Sequence, residues 1–313
     1  MRAAVIESHE RPPRAGDFED PSATDGKSEI DVSVAGLNPV DLATAAGEIP
    51  GRQPPIPSIA GKEGIGVLPD GRRVYFDDPA APFGSMAERS LVEADSLIDV
   101  PDGVDDDLAV CFGIAGLAAW LSLTWRADLQ AGETVLVLGA SGVVGQIAVQ
   151  GAGLLGAGTV IAAARDTGAL ERSREIGADA TVVVEEGEEM DERFREACGD
   201  GADVILDPIW GSAAAAALTA LAENGRLVQI GNAAGPTAEI AGRPFRNQLG
   251  SIIGHTNFKA PADRKREAFR AMCEHAAAGE LTVETEEVPL SEIEDAWRRQ
   301  GEGPHHKLVI HPG

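Results

Sequence analysis

The segment Val135-Leu136-Val137-Leu138-Gly139-Ala140-Ser141-Gly142-Val143-Val144-Gly145 runs four apolar residues straight into a glycine-rich turn. A helix-like pattern follows from Gln146 to Leu155. A short, continuous apolar run is how a strand buried on both faces reads. Glycine lets bare backbone approach a ligand closely. The unpaired N–H groups that open the next helix then face an anion, helped by the helix dipole. The chemistry this spacing suits is a dinucleotide pyrophosphate site. Gly142, Val143 and Val144 would offer backbone N–H groups there, and Ser141 a hydroxyl. The spaced motif is incomplete: Ala140 holds its first glycine position, followed by Gly142 and Gly145. A glycine turn can also simply end a strand. A second apolar strand, Thr159 to Ala164, completes a βαβ unit in about 30 residues. The residues at its tip bear on which dinucleotide binds. A carboxylate there favours NAD through the ribose hydroxyls, and an arginine favours a 2′-phosphate. Arg165 precedes Asp166, which points to NADPH, with NADH the alternative.

These residues need a scaffold. From Glu133 the chain alternates strand and helix. Expected strands are Thr134–Leu138, Thr159–Ala164, Ala180–Val184, Val204–Asp207, Arg226–Ile230 and Ser251–Gly254, with helices at Leu170–Ile176, Asp191–Ala197 and Ser212–Ala222. That rhythm predicts an α/β, doubly wound parallel sheet. The N-terminal third reads instead as short strands at Met1–Ile6, Glu29–Val34, Gly64–Leu68, Arg73–Phe76 and Met86–Val92, punctuated by proline and glycine. This pattern predicts an antiparallel, barrel-like β domain. A largely apolar helix is expected from Ala109 to Trp125. The C-terminal stretch, with a helix over Asp263–Ala278, elements at Val283 and Ile293–Arg298, and a strand over Lys307–Ile310, is expected to complete the first domain. The expected division is 1–108 with 256–313 against 109–255.

The bulk numbers exclude several classes. At 313 residues and 43% hydrophobic content, the chain can bury a sizeable core in two domains. A net charge of −25 repels nucleic acid and anionic membranes. Acidic runs such as Asp105–Asp107 and 185–189 read as solvated loops. No apolar run reaches spanning length, and Met1–Glu7 turns charged too soon for a signal peptide. Cys111, Cys198 and Cys273 lie far apart and form no metal knuckle. They are expected as buried thiols in a reduced, cytoplasmic setting.

Gly36-Leu37-Asn38-Pro39-Val40-Asp41-Leu42, Gly61-Lys62-Glu63-Gly64-Ile65-Gly66-Val67, Leu97–Val104, Ala115–Trp120, Leu129–Val137, Ile176–Asp179, Asp207-Pro208 and Ile230–Gly235 follow one another at family spacing. Over nearly its whole length the chain resembles the medium-chain dehydrogenase/reductase superfamily, and within it the zinc-free quinone oxidoreductase branch. The resemblance implies a Rossmann domain joined to a discontinuous GroES-like, β-barrel-type catalytic domain. It also implies hydride transfer from NADPH to a quinone or an α,β-unsaturated carbonyl. Zinc-dependent members carry cysteine where Asn38 stands and histidine where Lys62 stands. Neither replacement suits zinc, so no metal is expected. Ile230, Gly231 and Asn232, with Asp207, would line the ribose regions of the cofactor. His255, Thr256 and Asn257 would approach the nicotinamide. Family members often dimerise through the last strand of the cofactor sheet, so a homodimer is expected. Two positions depart from NADPH-using relatives: Ala169 replaces a lysine, and Val184 replaces a tyrosine. The stretch from Gly66 to Met86 is also shorter than in most relatives.

Three residues are candidates for the chemistry. Asn38 could orient the carboxamide or a substrate carbonyl, or merely shape an Asn-Pro turn. Asp41 could join it, though the structural role of a loop Asp is the favoured reading there. His255 could donate a proton or serve as a polar filler. Tyr75, the only tyrosine, reads as strand packing. Solvent is a further source of the proton. A second function class stays open: a dinucleotide-binding redox sensor or structural protein with little turnover. A third is a zinc alcohol dehydrogenase with displaced ligands.

Overall fold

The computed structural model describes residues 1–49, 51, 53–185, 187 and 189–313. Glu186 and Glu188 of the acidic run lie outside the described residues. The chain divides into two compact units, Met1–Ile114 with Phe269–Gly313, and Ala115–Ala268. The first junction lies beyond the expected residue 108, because the helix Asp106–Cys111 packs on the strands of the first unit.

The first unit begins with β1 (Arg2–Ile6), β2 (Arg14–Asp17) and β3 (Lys27–Gly36), then α1 (Pro39–Ala45) and β4 (Ser58–Ile59). β5 (Glu63–Val67), β6 (Arg73–Asp77), β7 (Arg89–Glu93), β8 (Ile98–Asp99) and α2 (Asp106–Cys111) follow. β1 pairs antiparallel with β2 and β4, so Ile6 lies opposite Ser58. The larger sheet places β3 antiparallel to β5 and β7, and β5 antiparallel to β6. The Asn-Pro that suits a turn opens helix α1 instead. It does so because Asn38 and Asp41 make a capping box around Pro39 at the first helical position.

α3 (Ile114–Leu121) leads the chain into the second unit and runs into a π-helical turn over Ser122–Ala127. One helix from Ala109 to Trp125 was expected, and Phe112 and Gly113 break it. The remaining elements are β9 (Thr134–Leu138), α4 (Val143–Leu154), β10 (Thr159–Ala164), α5 (Thr167–Glu175), β11 (Ala180–Val183), α6 (Met190–Cys198), β12 (Ala202–Asp207), α7 (Gly211–Ala217), β13 (Leu221–Gln229), α8 (Gly242–Asn247) and β14 (Ser251–Gly254). The six strands are parallel, in the order β11-β10-β9-β12-β13-β14. The order reverses between β9 and β12, the switch point where doubly wound sheets bind ligands. Leu136, Leu138, Ile161, Phe194 and Ile205 form the buried centre against the alanines of α7. That helix ends at Ala217, short of the expected Ala222, because Leu221 and Ala222 already belong to β13.

α9 (Ala262–Ala277) spans the second junction. β15 (Thr285–Pro289), α10 (Ile293–Glu302) and β16 (Lys307–His311) return to the first unit. β16 pairs antiparallel with β3 and parallel with β15. Leu308, Ile310, Val288 and Trp297 there pack on Ile6 and Leu37, so the tail closes the core begun at the N-terminus. The three cysteines are free and buried, and burial raises their thiols to about 12, 11 and 12 for Cys111, Cys198 and Cys273. Among the described residues, no helix is long and apolar enough to cross a membrane.

Candidate functional site: the carboxyl edge of the parallel sheet and a buried charge network

Because the six strands are parallel, their carboxyl ends share one edge, and that edge carries the candidate cofactor residues. Gly139 turns the chain out of β9 with φ of 63°, a conformation that favours glycine. Gly142 caps α4. A Cβ on Gly145 would sit 2.4 Å from the Gly139 carbonyl oxygen and 2.5 Å from the Ala140 Cα, so only glycine allows the helix to start this close to the turn. Val143 and Val144 occupy the first turn of α4, where N–H groups have no intrahelical acceptor. Gly142 differs from expectation: its N–H donates to the Gly139 carbonyl at 3.1 Å, so it braces the turn. The Ser141 carbonyl accepts from Gln146 Nε2 at 3.0 Å, which fixes the turn from the other side. This cradle of bare backbone at a helix N-terminus fits a dinucleotide pyrophosphate.

At the tip of β10, Asp166 is committed to α5. Its carboxylate accepts from the Ala169 N–H at 2.6 Å as the helix N-cap. Arg165, one residue earlier, is exposed beside it. Ala169 is buried under that cap, and Val184 packs against the sheet's core. Neither offers a polar group.

Asp207 is fully buried, and Oδ1 accepts from the N–H groups of Ile209 at 3.0 Å and Trp210 at 2.7 Å. It shapes its own loop in place of the expected direct contact. Burial raises its carboxyl to about 6, and Oδ2 has no partner. The N–H groups of Ile230 and Gly231 reach the Asp207 carbonyl, and a Cβ on Gly231 would lie 2.6 Å from the Pro208 oxygen. Two neighbouring loops are thereby locked together, with Asn232 closing a tight turn to Gly235.

His255 is buried, and its Nε2 lies 2.8 Å from Asn257 Oδ1. Its Nδ1 has no hydrogen-bond partner. Burial, aided by the Arg126 charge, lowers its basicity. Its bond to Asn257 and its lowered basicity suit the polar-filler reading of His255 better than the proton-donor one. Thr256 is exposed just before Asn257.

The first unit brings Asn38 and Asp41 together with residues the sequence did not single out as a set. Lys307 Nζ donates to Glu63 Oε1 at 2.8 Å and to Asn38 Oδ1 at 2.7 Å. Asn38 Nδ2 donates to Glu63 Oε1 at 2.7 Å. Glu63 Oε2 accepts from Tyr75 Oη at 3.1 Å and from the Ile114 N–H at 2.5 Å. All four side chains are buried. Tyr75 also stacks on Phe269, with ring centroids 4.9 Å apart, so the packing expected of it holds and a polar role is added. Asn38 is thus buried and held by Lys307, Glu63 and the Gly36 carbonyl, which makes it an organiser of this network. Asp41 Oδ2 accepts from the Asn38 N–H at 2.8 Å, while Oδ1 has no partner. Burial pushes the Asp41 carboxyl up to about 7. The network needs two glycines: a Cβ on Gly36 would lie 2.6 Å from Glu63 Oε1, and one on Gly113 2.2 Å from Glu63 Oε2. The signal for this set was charge out of place, namely Glu63 among glycines and Lys307 heading an apolar strand.

Zinc does not fit the positions where the resemblance would put it. Asn38 is engaged as described, and Lys62 is a cation paired with Asp78. Among the described residues, the trio that could offer metal ligands is Asp107, Glu287 and His311, which includes neither.

A family model described as zinc-binding dehydrogenase matches residues 143–276. Over 100% of its length the chain is similar to a probable oxidoreductase from Mycobacterium abscessus, at 30% identity, TM-score 0.85 and 99% of that chain. Over 99% of its length it is similar to the quinone oxidoreductase from Thermus thermophilus, solved also with NADPH, at 30% identity, TM-score 0.84 and 100% of that chain. Among curated proteins, one of the phenolphthiocerol/phthiocerol polyketide synthase subunits of Mycobacterium tuberculosis is 30% identical over 292 residues, 90% of this chain. The chain spans only 13% of that protein's length.

Proposed function

Since the chain belongs to the medium-chain dehydrogenase/reductase superfamily, in its quinone-oxidoreductase-like branch, we propose that this oxidoreductase reduces a quinone or an α,β-unsaturated carbonyl with NADPH. One observation carries the cofactor choice. Asp166 is spent capping α5, which leaves Arg165 exposed at the tip of β10 as the group to meet a 2′-phosphate. The cofactor, when bound, supplies the hydride. The chain's own part is to hold the pyrophosphate on the N–H groups of Val143 and Val144, and to fix the neighbouring loops through Asp207 and Gly231. The reaction proceeds without zinc, since a conjugated carbonyl already spreads the developing negative charge that a metal would otherwise stabilise. The protein works in the cytoplasm as a homodimer on a small-molecule substrate, with neither nucleic acid nor membrane as partner. β14 supports the dimer: it ends the sheet with exposed Ile252, beside exposed Leu249.

The test is a fluorescence titration with NADPH beside NADH, followed by acceptor-dependent NADPH oxidation. Tighter NADPH binding and turnover are expected. Dinucleotide binding without turnover on any quinone or enone would favour the second reading, a redox sensor. The buried His255, held by Asn257 and lowered in basicity, is the observation behind that alternative.

A further inference from the structure

Trp210 follows β12 at the carboxyl edge of the parallel sheet, with φ of 60° and ψ of −158°. Glycine adopts that backbone freely, whereas a bulky side chain there is strained. Such strain persists only where the surroundings enforce it, and it gathers at ligand sites. Here the surroundings do enforce it. The buried Asp207 Oδ1 accepts from the N–H groups of Ile209 and Trp210. The Ala234 N–H donates to the Ile209 carbonyl at 2.7 Å. On the other flank, a Cβ on Gly139 would come within 2.9 Å of Ile209 Cγ2 and 3.3 Å of Pro208 Cγ. The loop that carries Trp210 is thus wedged between the glycine turn after β9 and the loop after β13. Its indole rests on the apolar core of the second unit but is only half-buried, so part of its surface stays open.

The place of that surface suggests its use. β12 lies two strands from β10, about 10 Å at the spacing of strands in a sheet. Arg165, at the tip of β10, is the group set to meet the 2′-phosphate. In NADPH the 2′-phosphate and the adenine share one ribose. A phosphate held at Arg165 therefore leaves the base within reach of Trp210.

We propose that Trp210 is the stacking platform for the adenine of the cofactor. This rests on the reading above that the second unit binds NADPH. An indole offers its π-face to a flat base without needing a hydrogen bond. The strained backbone fixes the indole before the cofactor arrives, which lowers the ordering cost of binding.

Calorimetry and tryptophan emission on the full chain test this. The probe is 2′,5′-ADP, the adenosine half of NADPH, which does not absorb where tryptophan emits. Trp210→Gly keeps a residue suited to the backbone and should weaken 2′,5′-ADP and NADPH binding about 10-fold, the worth of one base–aromatic stack. Trp210→Phe should hold 2′,5′-ADP affinity within about threefold, since a second aromatic still stacks. It should also abolish the quenching that adenine imposes on the parent's emission. Quenching that survives Trp210→Phe comes from Trp120, Trp125 or Trp297 and overturns the platform. So does 2′,5′-ADP binding that leaves the parent's emission unchanged or that Trp210→Gly does not weaken. Binding of NADPH without binding of 2′,5′-ADP overturns the platform and leaves the cofactor reading intact. A parent chain that binds neither overturns both.

Discussion

Glu63 and Lys307, 244 residues apart in sequence, meet at 2.8 Å in the interior of the first unit. Neither charge is left alone: Asn38, Tyr75 and the Ile114 N–H supply the remaining hydrogen bonds. A buried ion pair is weak evidence of net stability, because both ions lose their hydration. Its force lies in the asymmetry: removing one partner strands the other.

Lys307→Met should therefore destabilise the protein by about 3–5 kcal/mol. The double variant Glu63→Gln/Lys307→Met should recover much of that loss, since neither residue then carries a charge. Urea denaturation of both, read as the midpoint at constant slope, checks this. Equal stabilities for Lys307→Met and the parent would contradict the burial of the pair.

Arg165→Ala should weaken NADPH binding about 10- to 100-fold, the loss of a charge-assisted contact to phosphate. NADH affinity should hold within a factor of two. The ratio of the two dissociation constants is the readout.

Two glycines of α4 predict opposite outcomes. Gly145→Val drives a side chain into the Gly139 carbonyl and Ala140 and should abolish dinucleotide binding. A Cβ on Gly153 meets nothing within 4 Å. Gly153→Ala should leave binding unchanged and stabilise the helix by about 0.5–1 kcal/mol. Binding titrations beside thermal melts separate the pair.

The Asp41 carboxyl, raised to about 7 by burial, titrates near 3.8 when exposed. Between those values the folded chain binds more protons than the unfolded one, so this group's contribution to stability falls as pH rises from about 4 to 7, then levels off. The slope is at most about 1.4 kcal/mol per pH unit. Asp41→Asn should remove it, visible as a flatter stability curve over that window. A parallel shift of the whole curve would show that Asp41 does not titrate there.

The parallel sheet was legible in sequence because its strands are continuous apolar runs. Thr134–Leu138, Thr159–Ala164 and Ser251–Gly254 fall where the pattern put them. The first unit was harder. β4 and β8 are two residues each, too short for any periodicity, and α1 hides behind an Asn-Pro that also suits a turn. The glycine turn after β9 was read from its residue types. The partners of Asn38 were not, because Lys307 reaches it only through the pairing of β16 with β3. Single positions such as Gly113 carry no local signal, since their necessity comes from what lies across the fold.

The discontinuity of the first unit sets an order of synthesis. Ile114, the last residue before the chain enters the second unit, is tied to Glu63 by its N–H, and Glu63 awaits a lysine made 244 residues after it. On the ribosome, every residue of the parallel-sheet unit is made before that lysine exists. The first unit therefore begins earliest and closes last.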